Sequence, residues 1–356
     1  MKILHVITSL RTGGAEKLVI EIVPRLMQKG HQVDVALFDG TDTPFKKELA
    51  KCGCKIYDWG RSMYNPWCII RLIRIMKKYD VIHTHNTYPQ LYLAIARIFV
   101  KGRIVTTEHS TNNRRRNYRI FRYIDQWMYR MYDKVICISD KAYDNLYKFL
   151  RKDTIQNIVT IYNGVDVDKF AKANPNNQYR TNKKSFIVIM VASLHWQKDQ
   201  DTVIKAISKL PKGEFEFWIV GDGNRKADLQ KLTNELGVSD YVKFMGIHSD
   251  IPELLQTADA VVMSSHFEGL SLSSIEGMSV GKPFIASDVD GLHEVVEGAG
   301  ILFPHQDANQ LAEILLHLQS NKEYALDIAQ KCYERAKLYD IEKTVDAYEA
   351  LYQSLK

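Results

Sequence analysis

Residues 81–109, VIHTHNTYPQLYLAIARIFVKGRIVTTEH, decide the fold. VIHTH and RIVTTEH are short, β-branched runs that read as strands, and the segment between them, near residues 89–100, has the spacing of an amphipathic helix. Strands that are apolar along their length, rather than alternating, are covered on both faces, and a helical crossover joins parallel strands. The stretch therefore predicts one βαβ unit of a parallel sheet.

The same alternation extends in both directions. Upstream lie KILHVIT, a helix from about Glu16, QVDVALF, a helix near 45–52, CKIYDW and the amphipathic IIRLIRIMKKYD. Downstream come a basic helix, KVICIS, another helix and IVTIYN. Residues 1–170 thus predict a Rossmann-like domain. Residues 171–184, AKANPNNQYRTNKK, are polar and aperiodic and read as a linker. The pattern then restarts with FIVIMVAS, FEFWIVGDG, YVKFMG, AVVMSS, PFIAS and GILF, so residues 185–335 predict a second domain of the same α/β kind. Helical segments near 322–337 and 341–355 follow. Two such domains are expected to face each other across a cleft, with ligands held just beyond the carboxyl ends of the strands.

At 356 residues, 46% hydrophobic and 25% charged, the chain fits a globular protein and excludes disorder as a whole. No apolar run reaches ~18 residues, and MKILHVITSL lacks a cleavage site, so a cytoplasmic place is expected. Cys52, Cys54, Cys68, Cys137 and Cys332 are odd in number and scattered, which argues against a disulfide framework or a zinc site. The net charge of +6 is concentrated: residues 114–134, RRRNYRIFRYIDQWMYRMYDK, hold seven basic and two acidic side chains. Arg114, Arg115, Arg116, Arg119 and Arg122 interleaved with aromatics suit the inner face of a plasma membrane; a core-facing helix with a solvated basic face fits the same residues. No nucleic-acid module is recognisable, so no nucleic-acid partner is expected.

Residues 266–287, HFEGLSLSSIEGMSVGKPFIAS, carry two acids in a small, apolar run. Gly281 and Pro283 end a helix of roughly residues 271–280, which puts Glu268 in the loop before it and Glu276 in its second turn. The acids stand at most about 12 Å apart, the span of one nucleotide-sized ligand, and the helix start offers free N–H groups to a phosphate. Ser273 and Glu276 also match a capping box, and spacing leaves both readings open. Gly13 and Gly14 follow the first strand and precede a helix, as a phosphate loop or a plain turn does. The GDG at 221–223 lacks the third glycine of a dinucleotide fingerprint.

These segments together resemble the retaining glycosyltransferases of family 4, of GT-B fold. HFEGLSLSSIEGMSVGKPFIASDVDGLHEVV looks like the family signature. RTGGAEK, VIHTH, TTEHS, IYNGVDVDKF, QKDQDTVIKAI, WIVGDG and VKFMGIHSDIPELLQTADAVV extend the likeness nearly end to end. The resemblance implies that Glu276 binds the donor's ribose and Glu268 the transferred sugar. It puts the backbone of Gly269, Leu270, Ser271 and Leu272 at sugar and diphosphate, and Lys198 on the leaving diphosphate. Gly13, Gly14, Gly221 and Gly246 would line the donor, His109 would lie beside the sugar, and His85 and Glu16 would shape the acceptor side. His85, His109 and Glu16 also have plain structural readings, as buried histidines and a helix-start acid. Residues 336–356 would form a helix packing back on the first domain. Ser193 stands where many relatives have an arginine on the diphosphate, and Arg225 is a substitute cation for it. Asp-x-Asp triplets at 166–168, 199–201 and 288–290 fall inside motifs of other purpose, so no metal or other cofactor is expected.

The expected activity is retaining, metal-independent transfer from a nucleotide-sugar, a UDP-sugar first, to a glycan or polyprenyl-diphosphate-linked acceptor in capsule or O-antigen synthesis. A nucleotide-sugar epimerase of the same fold, or a non-catalytic binding protein at a membrane or on RNA, is the alternative.

Overall fold

The structure is a computed structural model that describes every residue except 12, 110–118, 151–156, 181, 183 and 356. It divides into two units: residues 1–164 with 341–356, and residues 165–340.

The first unit is built on seven parallel strands: β1 (Lys2–Ile7), β2 (Gln32–Leu37), β3 (Ile56–Asp58), β4 (Val81–His85), β5 (Arg103–Glu108), β6 (Lys134–Cys137) and β7 (Ile158–Thr160). Their order across the sheet is β3-β2-β1-β4-β5-β6-β7, so the winding reverses between β1 and β4. Because side chains alternate along a strand, the sheet has two cores. Leu4, Val6, Ala36, Ile82 and Ile104 pack on one face. Ile3, Ile7, Val33, Val35, Val81 and Val105 pack on the other, under the helices Gly14–Gln28 and Ile341–Ser354. His5, His83, His85, Thr107 and His109 share this second face, because the register pairs His5 with His83 and His85 with Thr107.

The helix Ile341–Ser354 closes that face with Ile341, Val345, Tyr348 and Tyr352, all buried. Tyr352 Oη lies 2.5 Å from His83 Nδ1 in the interior. Substituting Tyr352→Phe removes this partner and leaves a buried ring nitrogen unmatched, a loss of about 1–3 kcal/mol. A lower urea midpoint with an unchanged slope is the expected reading.

The second unit has six parallel strands: β8 (Phe186–Val191), β9 (Phe215–Val220), β10 (Val242–Gly246), β11 (Ala260–Met263), β12 (Phe284–Asp288) and β13 (Ile301–Pro304). They are ordered β10-β9-β8-β11-β12-β13, with the reversal between β8 and β11.

The boundary falls at Gly164 and Val165, earlier than the residue 170 expected from the sequence. Val165, Val167 and Phe170 are buried in the second unit's core. The expected linker is also part of that unit. Arg180 grips Asp259 at 2.7 Å, the Asn176 N–H donates to Thr257 Oγ1 at 2.8 Å, and Gln256 Nε2 donates to the Phe170 carbonyl at 2.9 Å. A polar composition looks like a linker, but here the polar groups satisfy one another against the unit. The helix Lys322–Ala336 stays with the second unit, and the chain rejoins the first at Ile341.

Candidate functional site

In the second unit the chemistry collects at the carboxyl edge on both sides of the reversal. A 3-10 turn, Trp196–Lys198, follows β8 and presents Lys198; the loop after β11 presents Glu268. Lys198 Nζ lies 2.5 Å from Glu268 Oε1, which also accepts from Ser265 Oγ at 2.7 Å. The pair is largely sheltered, with side-chain exposures of 18% and 7%. The two loops are further tied by the His266 N–H to the Gln197 carbonyl and by Gln197 Nε2 to the Phe267 carbonyl, both at 2.8 Å. Asp199 Oδ2 accepts from Ser264 Oγ at 3.0 Å and Thr202 Oγ1 at 2.7 Å, holding the residue after Lys198 to the end of β11. Ser265, Gln197 and Asp199 were not anticipated from the sequence. Ser265 and Glu268 do stand at Ser-x-x-Glu spacing, the one local signal for their contact.

The helix after Glu268 runs Leu272–Ser279 and is capped by Ser271, whose Oγ accepts from the Ser274 N–H at 3.3 Å. Ser273 is therefore inside the helix, and the capping box it would form with Glu276 does not exist. Glu276 is buried, at 5% exposure, in the second turn. Its role as a mere cap is removed by geometry.

Gly291 has a φ of +84°, and a Cβ there would stand 2.3 Å from the Glu268 carbonyl oxygen and 2.4 Å from that of Gly269. The Glu268 N–H meanwhile donates to the Asp290 carbonyl at 3.0 Å. The β12 loop thus sets the height of the Glu268 loop. Gly291→Ala pushes it away and is expected to destabilise the second unit, read as a lower urea midpoint, because the clash is with backbone at a positive φ.

Gly269 and Leu270 are half-buried between Glu268 and the Ser271 cap. Gly221 and Gly246 sit at the ends of β9 and β10, and the Gly221 N–H donates to the Gly246 carbonyl at 2.7 Å. A Cβ on Gly221 would meet the Ala192 carbonyl oxygen at 2.1 Å, so its glycine serves the approach of β9 to β8. Around Gly246 there is open space. Ser193 is exposed and offers no cation. Arg225 does not replace one: its fork closes on Asp201 at 2.5 and 3.0 Å.

The Asp-x-Asp triplets are spent within the chain. Asp166 caps a helix through the Lys169 N–H, Asp168 pairs with Lys172, Asp201 with Arg225 and Asp288 with His293. Among the described residues two sets have metal-like spacing. Asp199, His266 and His305 bring ligand atoms within 4.8 Å, but His266 Nδ1 is bonded to His305 Nε2 at 2.8 Å. His5, His83 and His85 do likewise, yet both nitrogens of His83 and of His85 already have partners.

In the first unit His85 is fully buried, between His5 and His109, each 3.0 Å away. It touches His109 rather than an open acceptor surface. His109 stands just past β5, and its Nδ1 is buried without a hydrogen-bond partner among the described residues. Gly13 caps the helix Gly14–Gln28, and Gly14 is exposed at its start. Glu16 curls over Gly13, where an added Cβ would stand 2.2 Å from its Oε2. Burial raises the Glu16 carboxyl above the usual range, against a hydrogen bond from its own backbone. This is the geometry of a helix-start acid.

Arg114, Arg115, Arg116 and the Arg119 side chain lie outside the described residues. Arg122 stands over the Phe149 ring at 5.5 Å, packed on its own unit. The helix Arg119–Arg130 nevertheless shows Tyr123, 65% exposed, and Trp127, 37% exposed, one turn apart. Among the described residues no helix is long and apolar enough to cross a membrane.

Two family profiles match in tandem: Glycosyltransferase Family 4 over residues 12–169, and Glycosyl transferases group 1 over residues 172–337. The Escherichia coli UDP-Gal:alpha-D-GlcNAc-diphosphoundecaprenol alpha-1,3-galactosyltransferase is 27% identical over 80% of this chain and 78% of its own. The O-antigen biosynthesis glycosyltransferase WclY of Escherichia coli is 23% identical over 100% of this chain and 99% of its own. The crystal structure of Anabaena Alr3699/HepE in complex with UDP-glucose is 23% identical and covers 99% of this chain and 100% of its own, with a TM-score of 0.84. Tandem profile matches over both units, on two parallel sheets wound this way, identify the chain as a member of the family 4 glycosyltransferases, of GT-B fold.

Proposed function

We propose that the chain transfers a sugar from a UDP-sugar to a lipid-linked glycan during assembly of a bacterial surface polysaccharide, with retention at the anomeric carbon and without a metal. The Lys198–Glu268 pair carries the reading. At one edge of one sheet it sets a carboxylate that can accept from sugar hydroxyls beside an ammonium that can meet a leaving diphosphate. Glu276, buried in the second turn of the helix that follows the Glu268 loop, accepts from the ribose hydroxyls. The open N–H groups at the start of Leu272–Ser279 face a phosphate favourably.

The acceptor oxygen bonds to the anomeric carbon as the bond to the diphosphate oxygen breaks on the same side, and the acceptor's proton passes to a donor phosphate oxygen. The products are the glycoside and UDP. Asp166, Asp168, Asp201 and Asp288 of the triplets are engaged in a cap and ion pairs, which favours a site whose cation is the Lys198 ammonium. A UDP donor and a diphosphate-lipid acceptor are favoured by the galactosyltransferase relative, whose name states both, and by the UDP-glucose complex of the Anabaena protein. Tyr123 and Trp127 favour a membrane surface for the first unit.

Incubating the protein with radiolabelled UDP- and GDP-sugars, with and without polyprenyl-diphosphate glycans, tests the reading. Acceptor-dependent transfer from a UDP-sugar, with the donor's anomeric configuration kept, is expected. Conversion of the donor with no acceptor present points to an epimerase instead, and activity surviving Glu276→Ala with Lys198→Ala removes the site assigned here. Tyr123→Ser with Trp127→Ser is expected to cut binding to anionic vesicles severalfold in a flotation assay, and unaltered flotation counts against the membrane surface.

A further inference from the structure

Asp199 is 2% exposed, and among the described residues no lysine or arginine forms an ion pair with it. It holds the N-cap position of the helix Gln200–Ile207, yet its side chain accepts from no backbone N–H there. Its Oδ2 accepts from two neutral hydroxyls instead, Ser264 Oγ at 3.0 Å and Thr202 Oγ1 at 2.7 Å. The cations nearby in the chain are spent elsewhere, Lys198 on Glu268 and Arg225 on Asp201. A carboxylate this deep is ordinarily paired with a cation or bound to a metal.

Two imidazoles complete a set of three ligands. Asp199 follows β8, His266 lies in the loop after β11 and His305 in the loop after β13, and one ligand atom from each falls within 4.8 Å of the others. The two rings meet edge to face, with centroids 5.0 Å apart and His266 Nδ1 2.8 Å from His305 Nε2. On tetrahedral zinc, with bonds of roughly 2.0–2.1 Å, two such nitrogens stand roughly 3.3 Å apart, so the contact opens by about half an ångström on binding. His305 is exposed and has room for that shift. The proton between the two nitrogens moves to an outer ring nitrogen or to water, and both lone pairs then meet the metal. Ser264 and Thr202 already orient the carboxylate, as outer-shell donors do for a ligating oxygen. His266 is held in turn against Trp196, with ring centroids 4.2 Å apart. Two nitrogens and one oxygen suit a borderline dication, with a fourth position left to water.

We propose that Asp199, His266 and His305 form a binding site for a zinc-class divalent cation, which staples the loops after β8, β11 and β13 to one another. Asp199 follows Lys198 directly, and His266 precedes Glu268 by two residues. The bound ion therefore stiffens both loops that present the Lys198–Glu268 pair, while the transfer proposed above proceeds without it. The site stands independently of the transferase reading.

Full-length protein stripped with EDTA and dialysed is to be titrated with Zn2+ by calorimetry and with Co2+ by visible absorption. One ion per chain is expected, with a melting temperature that rises with Zn2+ and falls back on chelation. His305→Ala, at an exposed position, and Asp199→Asn are each expected to weaken binding roughly 10- to 100-fold. His293→Ala, in an exposed histidine and carboxylate cluster elsewhere on the second unit, is expected to leave binding unchanged. No binding at micromolar Zn2+, or binding that survives His305→Ala, overturns the site. Binding that survives Asp199→Asn but not His305→Ala is an adventitious surface histidine pair and overturns it as well. Zinc binding in a protein that transfers no sugar supports the site and sinks the transferase reading; transfer without zinc binding does the reverse.

Discussion

Lys198→Met lowers sugar transfer from a nucleotide-sugar by roughly 10²- to 10³-fold, the usual loss when one group aimed at developing charge is removed. The same change strands Glu268, which keeps only Ser265 and has a side chain 7% exposed. Stability should therefore fall by roughly 2–4 kcal/mol, somewhat under the figure for a fully buried pair because Lys198 retains some water. The double variant Lys198→Met with Glu268→Gln removes the stranded charge. Its melting temperature should return most of the way to that of the natural chain while transfer stays lost. Recovery of both together would show the pair to be structural only.

Acid is expected to destabilise the first unit through its buried histidines. His5 and His109 fall from 6.5 in the open chain to about 3 and about 4 when folded, and burial pulls His83 and His85 down in the same direction. Between those values the unfolded chain binds more protons than the folded one, so stability rises with pH across the window. It is fully present above about 6.5 and drains as the pH falls through the folded values of about 4 for His109 and about 3 for His5. His5 alone accounts for something on the order of 5 kcal/mol. Urea unfolding at pH 7 and pH 5 checks this: the natural chain loses midpoint between the two, and His5→Leu should narrow the gap. Equal gaps in both proteins would refute the assignment.

The two wound sheets could be read in the sequence because parallel strands buried on both faces leave apolar runs at regular intervals, as VIHTH and RIVTTEH do. Glu268, Glu276 and Lys198 were singled out because they sit in dense local motifs, and the structure brings Lys198 and Glu268 together and buries Glu276. What escaped were contacts between loops far apart in the chain. Nothing local says that Gly291 sets the height of Glu268, that Asp199 is pinned by Ser264, or that Arg180 grips Asp259 and so turns a polar stretch into part of a domain. Ser273 misled for a different reason: the capping pattern was present, but the helix begins two residues earlier, at the Ser271 cap. The contacts of His85 with His5 and His109 depend on strand register, which periodicity does not reveal.

The helix Ile341–Ser354 belongs to the first unit but follows the whole of the second in the chain. On the ribosome, the sheet that carries His5, His83 and His85 emerges early and must wait for Tyr348 and Tyr352. At ordinary rates of synthesis the intervening segment takes roughly 10 to 35 s to make. Throughout that interval Gly14–Gln28 covers its part of the face while the part that Tyr348 and Tyr352 close stands open, so the first unit finishes folding only after the second has been made.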